Sequence, residues 1–175
     1  SIKTSLIQAV NINDKKKVDL IINHPEFDPI KSQVKGAIFE SVKIGNIDIF
    51  KTLLSILNND VNIFSQAQES LLSYSIKYDR EDIIDVIINS KNFDCNKADI
   101  LTAFIKVYSI NEKEENGQHQ REFDASIKLM KLLCKVDENH QHIIDFTKLL
   151  PNHKSFFTIM NPNLRNNGDV ASFLL

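Results

Sequence analysis

GAIFESVKIGNIDIFKTLLSILNNDVN, residues 36–62, reads as an apolar helix, a Gly45-Asn46 break, a second apolar helix ending in Leu53-Leu54, and an Asp60-Val61-Asn62 turn. Apolar residues at helical spacing define each half, and Gly and Asn punctuate them by supplying a positive φ and a helix cap. A unit of this kind is expected to recur, because one helix pair cannot bury its apolar faces alone.

The recurrence is legible in two independent sets of residues. Ile21, Leu53, Ile87 and Leu133, each central to the last apolar block of a second helix, step by 32, 34 and 46 positions. The small residues Ala9, Ser41 and Ser75 each follow an apolar residue three positions earlier, namely Leu6, Ile38 and Leu72, and again step by 32 and 34. A small residue on the face shared with its i−3 neighbour lets helices approach closely. The polar breaks Asn13-Asp14, Gly45-Asn46 and Asp79-Arg80 separate the two helices of each unit, and Phe27-Asp28-Pro29, Asp60-Val61-Asn62 and Phe93-Asp94-Cys95-Asn96 read as exit turns. The expected units cover about 2–30, 34–62, 68–96 and 98–137. The last carries a polar insertion at 109–124, and a degenerate or capping unit follows at 138–175.

Composition places the chain among ordinary folded proteins. It has 175 residues, 42% hydrophobic and 25% charged, which is enough for one domain with a substantial core. No apolar run approaches the ~20 residues that span a bilayer, and no basic segment followed by an apolar stretch opens the chain. A formal net charge of −2 gives no general attraction for phosphate backbones, so nucleic acid is not the expected partner. Two cysteines, Cys95 and Cys134, and the lack of Asn-X-Ser/Thr sequences fit a reducing, intracellular and cytoplasmic setting. The start at Ser1 and the end on Phe173-Leu174-Leu175 lead to the expectation of a fragment of a longer chain.

With both spacings established, the sequence resembles a run of ankyrin repeats. Thr4, Leu6, Ala9, Val18 and Leu20 match the family pattern in the first unit. Ile38, Gly45, Asn46, Ile49, Leu53, Leu54 and the Asp60-Val61-Asn62 turn match it in the second, and Leu72, Ile83, Ile84, Asp94 and Asn96 in the third. The resemblance covers about residues 2–136. It departs at the family's Thr-Pro-Leu-His segment, which survives only as Thr4 and the following leucine. The implied fold is all-α, an ankyrin-like α-solenoid of stacked helix-turn-helix units with hairpins short or absent. The short period and the Asp-Val-Asn turn argue against a HEAT or TPR solenoid.

Recognisable catalytic and cofactor chemistry is missing from the sequence. The closest glycines, Gly36 and Gly45, are nine apart, so neither a dinucleotide nor a P-loop fingerprint can be written. No His precedes Glu, and the cysteines are too far apart for a paired zinc knuckle. His140, His142 and His153 read as surface histidines before they read as metal ligands. Cys95 and Cys134 read as small hydrophobes, and the run Lys15-Lys16-Lys17 as a solvated helix face. No cofactor, metal or catalytic residue is expected. Glu112, Glu114, Glu115, Glu122 and Asp124 charge the insertion, either for solubility or for docking a basic partner.

The resemblance implies a non-catalytic scaffold that binds another protein through a concave face built by first helices and the loops before them. Carried onto this chain, the contact positions are Asn11, Ile12, Lys43, Ile44, Lys77 and Tyr78, with Ser32, Gln33, Lys35, Gln66, Ala67 and Glu69 from the loops. Lysines mixed with apolar and aromatic residues suit an extended acidic or amphipathic segment. The competing reading packs Ile12, Ile44 and Tyr78 between units. Other functional expectations are a targeting arm of a larger enzyme or membrane protein, and a self-associating spacer.

Overall fold

The computed structural model describes residues 2–100, 128, 131–132 and 135–144, with side chains from residue 5 onward. The insertion at 109–124, the rest of the fourth unit's helices, Cys134, His153 and residues 145–175 lie outside the described residues. The chain divides into two compact units, residues 1–99 and 100–175.

The described residues are all-helical, with six α-helices and no strand. They form three pairs: α1 (Ile2–Asn11) with α2 (Lys15–Ile22), α3 (Val34–Ile44) with α4 (Ile47–Ile56), and α5 (Leu71–Lys77) with α6 (Glu81–Ile88). A 3₁₀ turn, Cys95–Lys97, follows. Helix α3 packs between α1 and α5, and α4 between α2 and α6, so the first unit has two helical layers. No described helix is long and apolar enough to cross a membrane.

The repeated residues account for this packing. Leu6, Ile38 and Leu72 are buried, as are Ala9, Ser41 and Ser75 and, one position on, Val10, Val42 and Ile76. The buried serine hydroxyls turn back onto their own helices. Ser41 donates to the Ile38 carbonyl at 2.6 Å and Ser75 to the Leu71 carbonyl at 2.8 Å, so neither costs an unpaired polar group. Each inter-helix break passes through the left-handed region, at Asn13 (φ 58°), Gly45 (φ 84°) and Asp79 (φ 57°). One residue later the backbone N–H reaches five residues back: Asp14 to Ala9, Asn46 to Ser41 and Arg80 to Ser75, at 2.9, 3.2 and 2.9 Å. This closes each first helix in a Schellman-type cap. Asp14 and Asn46 then accept from the N–H of Lys17 and Ile49 and so start the second helices.

The exit turns are equally regular. Asp28, Asp60 and Asp94 accept from the N–H two residues on, that of Ile30, Asn62 and Asn96, at 2.9, 2.9 and 3.0 Å. After Asp60 the chain forms a short hairpin turn. Leu71 N–H bonds the Ile63 carbonyl, Ser65 N–H bonds the Glu69 carbonyl, and Gln68 takes φ 60° at the tip. A single bridge, Phe64 with Ser70, is all the ladder it has. The second unit repeats the geometry 72 positions later: Ile143 N–H bonds Lys135, Asp137 N–H bonds Gln141, His140 takes φ 59°, and Val136 bridges His142. Short hairpin turns are therefore present among the described residues, closed by backbone bonds and by the side chains of Ser65 and Asp137, which accept from the N–H groups of Glu69 and Gln141.

One apolar block packs differently from its counterparts. Leu53 and Leu54 of α4 and Ile87 and Ile88 of α6 are buried, but Ile21 and Ile22 of α2 are half-buried and Leu20 is 75% exposed. Only Val18 of α2 is fully enclosed, because its i+3 and i+4 partners look along the edge of the layer.

Candidate functional site

The layer α1–α3–α5 brings six of the expected contact positions, Asn11, Ile12, Lys43, Ile44, Lys77 and Tyr78, to its helix C-termini. Asn11 ends α1 and is exposed, and Ile12 just beyond is 64% exposed. Lys43 lies exposed in the last turn of α3, and Lys77 ends α5. Ile44 and Tyr78 are half-buried, so each keeps one side on its neighbours and one in water. In the loops, Lys35, Gln66 and Ala67 are exposed, Gln33 is half-buried at φ 53°, and Glu69 is half-buried.

Ser32 requires a correction. It was expected on the contact surface, yet it is buried with its hydroxyl unpartnered. Asp28 causes this by accepting from the N–H groups of both Ile30 and Lys31, while its carbonyl takes the Ser32 N–H at 2.8 Å. The segment coils on itself, turning Ser32 inward and Ile30 out to 89% exposure.

The best-formed polar cluster joins the end of α5 to the hairpin turn before it. Lys77 Nζ lies 5.5 Å from the Tyr74 ring centroid and 5.6 Å from that of Tyr78, and 3.5 Å from Glu69 Oε1. Tyr74 and Tyr78, one helical turn apart, have ring centroids 4.9 Å apart, and Phe39 of α3 meets Tyr74 edge-on at 5.1 Å. Burial raises the proton affinity of the Tyr74 phenol well above the ordinary value, and so do its hydrogen bond with Tyr78 and the nearby carboxylates of Glu40 and Glu69. Lys77, Tyr78 and Glu69 were legible as contact positions. Tyr74, Phe39 and Glu40 were not, although the i, i+4 spacing of Tyr74 and Tyr78 with Lys77 between them is a readable signal.

Beside this cluster, Arg80 ties α6 to α3. Its Nε donates to the Val42 carbonyl at 3.0 Å and its Nη2 to the Lys43 carbonyl, so the guanidinium closes orphan carbonyls at the end of α3. The corresponding residue one pair earlier, Asn46, reaches back to Asn13 at 2.7 Å. Lys43 has no ion pair among the described residues and projects from this seam as an exposed cation.

Other groups have structural positions. Lys15 pairs with Asp19, while Lys16 and Lys17 are exposed. His140 sits at the tip of the second hairpin turn and His142 in its bridge. Among the described residues no group of three His, Cys, Asp or Glu is gathered as a metal site would require, and Cys95 is half-buried. Comparison with protein-family models, curated proteins and solved structures gave no match for this chain.

Proposed function

We propose that this chain is a non-catalytic scaffold of the ankyrin-like solenoid type that captures another protein along its inner helical layer. The observation that carries the reading is the row made by Asn11, Lys43 and Lys77, equivalent positions on three adjoining helices, each exposed at a helix C-terminus. Side-by-side helices stand about 8–10 Å apart, so such a row offers contacts at the pitch of every third residue of an extended strand. Mixed cationic, aromatic and acidic side chains along it suit an amphipathic segment. The left-handed breaks, the five-residue back-bonds and the short hairpin turns support the solenoid assignment, since all three recur in step with the buried apolar residues.

An intracellular setting belongs to the same reading and rests on the sparse cysteines and the absence of glycosylation sequences. The test is affinity capture with the full chain and a Lys43→Glu variant. The Lys43 side chain is exposed and has no ion pair among the described residues, and its backbone carbonyl still accepts from Arg80 in the variant, so the variant should fold unchanged and lose its captured protein. Undiminished capture would exclude the inner layer as the contact surface.

A further inference from the structure

We propose that Tyr74, Tyr78 and Glu69 form a receptor for an arginine side chain of the partner, in which Lys77 is a displaceable internal occupant. This deepens the scaffold reading by naming a partner group, and it rests on that reading for its biological setting.

The site already shows which charge it accepts. One ammonium lies within cation–π range of two tyrosine rings and within reach of a carboxylate at the same time. Glu40, which has no ion pair among the described residues, adds a second negative charge near Tyr74. A cation is thus favoured at this point by two ring faces and the Glu69 carboxylate.

Lys77 fills the site poorly. Its distance of 3.5 Å to Glu69 exceeds the roughly 2.7–2.9 Å of a good charge-assisted hydrogen bond. Its 5.5 and 5.6 Å to the ring centroids sit near the outer limit of ~6 Å. The cause is its tether: Lys77 springs from the same helix end as both tyrosines, three residues after Tyr74 and one before Tyr78. Its ammonium is accordingly shared between the two rings, at nearly equal distance from both centroids. With 37% of its side chain exposed, Lys77 can swing into water at little cost.

An arginine arriving from outside has no such tether. Its guanidinium is planar, stacks on an aromatic face and presents two parallel N–H donors to a carboxylate, where a lysine offers a point charge. Tyr78 and Glu69 are both half-buried, so each keeps an approachable edge. The Tyr74 ring is braced edge-on by Phe39, so it stays in place when Lys77 moves out.

The experiment titrates the full chain with acetyl-Gly-Arg-Gly-amide, with the lysine and glutamate tripeptides as comparators. Tyrosine emission is the readout, since the chain has three tyrosines and no tryptophan. Saturable binding of the arginine peptide is expected, with weaker binding of lysine and none of glutamate. Lys77→Met keeps the aliphatic stem, removes the competitor and should tighten arginine binding several-fold. Glu69→Gln and Tyr78→Leu, with circular dichroism confirming the fold, should weaken it roughly five- to thirty-fold. Equal affinity for the arginine and lysine peptides, or no arginine binding by the Lys77→Met chain, overturns the proposal. If arginine fails to bind while Lys43→Glu still abolishes partner capture, this inference falls and the scaffold reading stands.

Discussion

The guanidinium of Arg80 occupies the space that a side chain on Gly45 would need: a Cβ built there would lie 2.7 Å from Arg80 Cζ and 2.9 Å from Nη1. Gly45 also holds φ 84°, where an L-residue costs about 1–2 kcal/mol. Gly45→Ala should therefore destabilise the chain by roughly 2–3 kcal/mol in urea unfolding. In an Arg80→Ala background the steric part disappears and the backbone part remains, so the same substitution should cost measurably less. An identical cost in both backgrounds would show that the two residues do not compete for space.

Asn62 links one exit turn to the next. Its amide donates to the Asn92 carbonyl at 2.6 Å, and its Oδ1 accepts from the Asp94 N–H at 2.9 Å. Asn62→Ala removes both bonds and should cost about 1–2 kcal/mol, as two partly exposed hydrogen bonds imply. Asn62→Asp keeps the acceptor but sets a carboxylate against a carbonyl, so it should recover none of the Asn92 contribution. Urea midpoints of the two variants separate the halves of the bridge.

Ser32 offers the opposite sign. Its hydroxyl is buried without a partner, a situation that costs roughly 1–3 kcal/mol. Ser32→Ala, nearly the same shape without the oxygen, should leave stability unchanged or raise it by about 1 kcal/mol. A loss of stability would mean that the hydroxyl makes a bond in solution.

Stability should also depend on alkali through Tyr74. The folded chain holds this phenolic proton more tightly than the unfolded chain, whose tyrosines ionise near 10. The contribution is therefore fully present below pH ~10 and lost as pH rises above it, because the unfolded state then releases the proton first. Phenolate absorbance titration should show a step well above pH 10, and Tyr74→Phe should remove that step.

Much of the first unit was legible from residue types alone. Leu6, Ile38 and Leu72 with Ala9, Ser41 and Ser75 predicted the shared faces, and Asn13, Gly45 and Asp79 the turns, because burial and positive φ each restrict which side chains fit. Three features escaped that logic. The hairpin turns are held mainly by backbone bonds, which leave little trace in sequence. Leu20 matches the apolar periodicity of its counterparts, yet periodicity does not tell whether a neighbouring helix covers that edge. Of the candidate site, Lys77, Tyr78 and Glu69 were found by position within the unit. Tyr74 was missed because its importance lies in Phe39 and Glu40, which reach it from another helix.

The ties joining the helix pairs have a mechanical consequence. Asn46 to Asn13, Arg80 to Val42, Asn92 to Asn59 and Asp94 to Asn62 each connect one pair only to the next. Tension applied along the chain would meet these seams in series, since none of these four ties skips a pair. Stretched from its ends, the first unit should lengthen in successive jumps, each freeing about thirty residues or ~100 Å of chain. Ties of this kind favour peeling, pair by pair, over a single rupture.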